Sequence, residues 1–178
     1  DAQAILKRIE LAGRTCWKSE GKATENSAEA FIRSIIAKDH TSVLEHESLS
    51  VRIICDRGVL TEITRQRLAS FSVESTRYCR YSEDKKGMKF IIPPWCQSVE
   101  EGEVYNAESL SEDMGWKLDR GATQNPEWRW AMAMLESAAS YESLLEHGWT
   151  PEKARSVLPN SLKTEIVMSA NLREIRHI

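Results

Sequence analysis

Between Arg65 and Tyr81 the sequence reads RQRLASFSVESTRYCRY, with four arginines (Arg65, Arg67, Arg77, Arg80) among Ser70, Ser72, Ser75 and Thr76, and Glu74 as the one acid. Guanidinium groups stay charged at any working pH, and their planar forks match phosphate oxygens with paired hydrogen bonds. Ser72, Ser75 and Thr76 add hydroxyl and backbone donors beside them. That chemistry is anion recognition, best suited to a small molecule bearing phosphate. The plain alternative is surface arginines paired with the chain's 27 acids, each pair contributing little. If the helical spacing that begins at Gly58 runs through Arg67, residues two apart diverge by about 200° around the axis. Arg65 and Arg67 would then serve two ligand groups, or one ligand and one structural acid. In the extended segment that follows, Arg77 and Arg80 face opposite ways, so only one shares the site. Ser75 resembles a nucleophile, but no histidine base is near it in sequence.

The rest of the composition narrows the setting. A chain of 178 residues is expected to form one domain. A net charge of -3 argues against a protein that coats nucleic acid. No apolar run approaches the ~20 residues of a membrane span, and the N-terminus lacks the order of a secretory signal; a soluble, cytoplasmic protein is expected. Cys16, Cys55, Cys79 and Cys96 form no C-x-x-C pair, and His40 and His46 lack a third nearby ligand, so neither a disulfide framework nor a metal site is expected. His147 reads as a partner of a helix C-terminus.

Several elements must position the arginine stretch. AILKRIELAG has helical apolar spacing closed by Gly13, and NSAEAFIRSIIAKD places Ala28, Phe31, Ile32, Ile35 and Ile36 on one stripe, capped by Asn26 or Ser27. ESLSVRIICD alternates Leu49, Val51 and Ile53 against Ser48, Ser50 and Arg52, the period of a strand with one buried face. KFIIPPW is a short strand stopped by Pro93 and Pro94, and residues 97–125 read as a surface excursion. A long helix is expected after Asn125, with Pro126 at its first position and Gly148 past its end. Trp128 and Trp130 on it cannot share one side. TPEKARSVLP repeats the cap logic with Thr150 and Pro151; KTEIVMSAN reads as a strand and LREIRHI as the start of a helix. Helices interspersed with at least three strands give an α/β or α+β domain around one sheet.

At these residues the chain resembles the flavin-dependent thymidylate synthases. Arg65-Gln66-Arg67, seven residues, then Ser75 and the completing STRY is similar to a signature that usually reads Arg-His-Arg, seven residues, Ser, followed by Arg-Tyr. HTSVLEH, ARSVLP and SANLREIRH resemble further family segments in the right order. The resemblance implies an α/β (α+β) subunit with a central twisted, largely antiparallel sheet flanked by helices. It implies a homotetramer whose active sites are shared between subunits. The implied reaction is a methyltransferase step of nucleotide biosynthesis that converts dUMP to dTMP. Methylenetetrahydrofolate is the carbon donor, NADPH the reductant and FAD the cofactor. The alternative is a non-catalytic homologue that binds nucleotide or flavin.

Carried over by position, the resemblance assigns Glu62, Arg65, Glu74, Ser75, Thr76, Arg77 and Arg155 to dUMP. It assigns His40, Ser42, Arg65, Gln66, Arg67, Asn171, Arg173 and His177 to FAD. Arg77 and Arg155 are the implied phosphate clamps, and Ser75 binds substrate rather than attacking it. Gln66 stands where the signature usually has histidine, which removes a titratable group, although an amide still donates and accepts. Val73 stands where many members carry a polar residue. The family's activating arginine would lie beyond Ile178, so no catalytic residue is identified within the chain. A domain truncated at its C-terminus, binding FAD but turning over poorly, is the expectation.

Overall fold

The computed structural model describes residues 1–81, 87–96, 104–106 (backbone) and 126–178, the last without the Trp128 side chain. The expected Asn125 cap, most of the 97–125 excursion and the facing of Trp128 lie outside these residues. Contacts group the chain into two compact units, residues 1–52, 66–71 and 167–178 in the first and 53–65 and 72–166 in the second.

In the first unit, α1 (Ala2–Trp17) and α2 (Ala28–Ala37) pack through Ile9, Ile32 and Ile35 against Val43 and Leu44 of a short 3-10 segment. Gly13 does not end α1 as expected. The helix runs four residues further and closes at Lys18 in the left-handed conformation (φ 48°). What position 13 requires is closeness, because a Cβ there would sit 2.6 Å from Cε1 of Phe31. Ser27 precedes α2 without capping it; its hydroxyl donates to Glu10 Oε1 at 2.7 Å, and Glu10 also holds the buried Arg14. Arg8 pairs with Glu47, and the Glu47 carbonyl accepts from Leu172 N at 2.9 Å, which ties down the start of α6 (Leu172–His177).

The second unit is built on α4 (Pro126–Glu146), whose Tyr141 is fully buried beside Phe90 and Leu162. Gly148 at φ +83° ends α4 as expected, with Trp149 N bonded to Leu144 O and Gly148 N to Leu145 O, the paired bonds of a Schellman motif. The short helix α5 (Pro151–Ala154) and a 3-10 turn, Arg155–Val157, follow. Thr150 occupies the cap position of α5, but through its carbonyl rather than its hydroxyl. The helix α3 (Arg57–Ile63) is capped by Asp56 Oδ1 on Val59 N at 2.6 Å and ends at Ile63. It stops before Arg65, so the expected helical divergence of Arg65 and Arg67 does not apply.

Strands β1 (Ser48–Asp56), β5 (Lys163–Asn171) and β2 (Ala69–Val73) form one sheet in the order β1-β5-β2, and each unit holds part of all three strands. A second, antiparallel sheet pairs β3 (Lys89–Ile91) with β4 (Val104–Asn106), Phe90 opposite Tyr105. Among the described residues this small sheet is additional to the one expected, and part of the expected excursion is a strand. In β5, Thr164, Ile166, Met168 and Ala170 are buried in strict alternation. In β1 the alternation does not give a buried face, for Leu49 and Val51 are exposed and Cys55 is the buried member.

Candidate functional site

The segment after β2 is a tight turn. Ser75 O accepts from Tyr78 N and Cys79 N at 3.2 and 2.8 Å, and Ser75 Oγ accepts from Arg77 N at 3.3 Å. These bonds fix the direction of Ser75, Thr76 and Arg77. Thr76 is 5% exposed, and its hydroxyl lies 3.4 Å from a guanidinium nitrogen of Arg155, a residue 79 positions away. Arg155 is itself oriented by Nε donating to Glu152 O at 3.1 Å. Two residues assigned to dUMP from distant stretches are therefore neighbours. Arg77 lies over the ring of exposed Tyr78, 5.6 Å from its centroid.

Glu74 opens this turn from a half-buried position. Its Oε1 accepts from the Tyr81 hydroxyl at 2.8 Å and its Oε2 from Lys163 Nζ at 3.2 Å, while its amide donates to Glu165 O at 2.9 Å. Lys163 also bonds the Glu165 carboxylate. Burial pushes the Tyr81 hydroxyl well above its ordinary pKa, and the hydrogen bond to Glu74 adds to that. Burial alone would lower the pKa of the Lys163 ammonium, but the hydrogen bonds it donates to Glu165 and Glu74 outweigh that and hold it up. Sequence reasoning missed Lys163 and Tyr81 as members of this site. Tyr81 stands in the arginine stretch, but Lys163 is 89 residues from Glu74 and no spacing signals it. Glu62 and Arg65, in the same unit, face each other at 3.7 Å with both side chains about three-quarters exposed. Such a pair contributes little and leaves both groups available to a ligand.

The residues assigned to FAD behave differently. Apart from Arg65, all of them fall in the first unit. His40, Ser42, Arg67, Arg173 and His177 are exposed, and Gln66 and Asn171 half-buried. The His40 ring meets Trp17 edge to face, 5.7 Å between centroids. Asn171 caps α6, its side-chain oxygen accepting from Glu174 N at 2.8 Å, and Arg173 pairs with Glu45. Among the described residues Arg67 has no carboxylate partner.

His147 follows α4 with Nδ1 2.7 Å from Ser143 O, as a partner of the helix end. Trp130 donates Nε1–H to Ser161 Oγ at 3.2 Å and packs on the core. The cysteines are free, and burial raises the pKa of Cys55 and Cys96. Among the described residues no group of three or more His, Cys, Asp or Glu is placed to hold a metal ion, and no helix is long and apolar enough to cross a membrane.

A family profile described as thymidylate synthase complementing protein matches residues 2–178. The chain belongs to that family. Its curated relatives carry the name flavin-dependent thymidylate synthase. That of Geobacter sulfurreducens is 30% identical over 176 residues, covering 95% of this chain and 65% of the relative. That of Pyrococcus furiosus is 29% identical over 164 residues, covering 90% of this chain and 57% of the relative. The chain thus spans less than two thirds of these relatives' length. Among solved structures, the flavin-dependent thymidylate synthase from Helicobacter pylori complexed with FAD and dUMP superposes with a TM-score of 0.68 at 25% identity, over 97% of this chain and 77% of that one. A UMP/dUMP methylase from Streptomyces cacaoi shares the fold, with a TM-score of 0.66 at 24% identity.

Proposed function

We propose that this chain is the nucleotide- and flavin-binding part of a flavin-dependent thymidylate synthase, converting dUMP to dTMP with methylenetetrahydrofolate as carbon donor and NADPH as reductant. The observation that carries the reading is the approach of Arg155 to the Thr76 hydroxyl inside the signature turn. A guanidinium, a hydroxyl and the ordered turn from Ser75 to Arg77 make a donor set suited to a phosphate monoester. In this reading Arg77 and Arg155 hold the phosphate, Ser75 and Thr76 orient it, and Glu62 and Arg65 flank the nucleotide.

The cofactor would be FAD, which supplies hydride transfer between NADPH and the migrating carbon when bound. His40, Ser42, Arg67 and His177 offer exposed imidazole, hydroxyl and guanidinium groups and Gln66 a half-buried amide, a donor set that fits the pyrophosphate and ring edges of a dinucleotide. Arg65, Asn171 and Arg173 complete the set. Leu49, Val51 and Ile54 leave β1 with exposed apolar surface, which supports assembly as a homotetramer with shared sites. The whole of residues 1–178 would then act as one synthase-like domain.

Purified protein reconstituted with FAD is expected to show flavin absorbance and to bind dUMP. Arg67→Ala should lose the colour and keep the fold by circular dichroism. A chain that never takes up FAD, or that takes it up but ignores dUMP, would sink the reading.

A further inference from the structure

The resemblance treats Glu74 as a nucleotide contact, yet each of its oxygens already carries a donor from the protein, Tyr81 on one and Lys163 on the other. The geometry points to Lys163 as a positioning residue whose ammonium, shared with Glu165, offsets the Glu74 charge and anchors the phosphate-binding turn, with Tyr81 as its second anchor; this rests on the proposed function. Three observations carry it. Glu74 immediately precedes Ser75, Thr76 and Arg77, so whatever fixes its carboxylate and amide fixes the entry to the turn. Lys163 and Glu74 are 18% and 17% exposed, where water and salt screen a charge less than at the surface. Lys163 starts β5, whose residues Thr164 and Ile166 are fully buried, so the ammonium is presented from a packed strand.

The electrostatic consequence is specific. A bare carboxylate one residue before a phosphate cradle would oppose a dianionic ligand, whereas one beside an ammonium opposes it less, even with that ammonium shared by Glu165. Lys163 need not touch the nucleotide to set its affinity. Its effect should therefore depend on charge and on salt, which a purely structural effect would not.

The test is calorimetric titration of dUMP into the chain in the presence of FAD, at low salt and at about 0.5 M salt, where screening shortens to a few ångströms. Lys163→Met is expected to weaken binding roughly tenfold at low salt, the scale of one unbalanced charge some distance from the ligand. That loss should shrink at high salt. Lys163→Arg should bind within about twofold of the wild type, since the guanidinium keeps the charge and reaches the same carboxylates. Wild-type affinity in Lys163→Met, or a loss equal at both salts, overturns the inference. Should Lys163→Met fail to fold, Tyr81→Phe decides: a loss of a few fold, about one neutral hydrogen bond, supports the anchoring, and unchanged affinity overturns it. If the wild-type chain does not bind dUMP, the proposed function falls and takes this inference with it. If it binds and the variants match it, only the inference falls.

Discussion

The two units treat their assigned ligand groups in opposite ways. In the second unit three of the residues assigned to the nucleotide are already held in place: Glu74 has two side-chain donors, Ser75 closes its own turn, and Thr76 is buried beside Arg155. In the first unit the flavin residues sit on turns and element ends, exposed or half-buried, and several have other duties such as capping α6 or pairing with Glu45. A rigid, prepaid geometry suits a small phosphate whose shape never varies. A larger dinucleotide can be gripped by scattered donors that its binding orders, at a cost in entropy taken from its affinity.

The largest expected effect strikes the framework of the nucleotide half. Phe90, 1% exposed in the core of that unit, should cost about 3–5 kcal/mol on replacement by alanine, read as a fall in the urea midpoint. Arg155→Ala comes next. It removes one charge-assisted partner of the turn and should weaken dUMP binding roughly 10- to 100-fold, one to two steps of 1.4 kcal/mol, while FAD binding is retained. Equal loss of both ligands would erase the distinction drawn between the halves.

Smaller effects should separate the units by pH. In the first, the hydrogen bond from Arg8 holds the Glu47 carboxyl below its ordinary 4.5. Its stabilisation is present above that value and lost as pH falls through the lower folded pKa, and Glu47→Gln should flatten this acid limb of stability. In the second, Tyr81 and Lys163 both have raised pKa values. Their stabilisation is complete below the ordinary values of 10.0 and 10.5 and is lost as pH climbs toward the raised folded ones, and Tyr81→Phe should flatten this alkaline limb. An acid limb untouched by Glu47→Gln would remove the first unit's part in this contrast.

Periodicity made the regular elements legible. The stripe on α2, the proline-to-glycine span of α4 and the strand over KTEIVMSAN are local patterns with local causes, and all three are where they were expected. The misses share a different cause. Helical spacing from Gly58 through Arg67 did not reveal that α3 stops at Ile63, because apolar spacing continues whether or not the backbone does. The alternation in β1 announced a buried face, yet alternation reports only that one side is apolar, not what covers it. The site split along the same line. The arginine stretch and ARSVLP were readable as motifs, and the fold makes Thr76 of one and Arg155 of the other neighbours. Lys163 was not readable, since one lysine beginning a strand carries no local sign of the carboxylate it will meet.

The missing side chain at position 13 has a consequence for how this chain can change over generations. Phe31 fills the space that glycine leaves, with Arg14 resting 4.7 Å over its ring. Neither residue can be exchanged freely while the other stays, for a methyl group at 13 would require a smaller residue at 31, and a smaller residue at 31 would take away the aromatic surface under a buried cation. The two positions behave as one inherited character, and lineages that alter either should be found to have altered both.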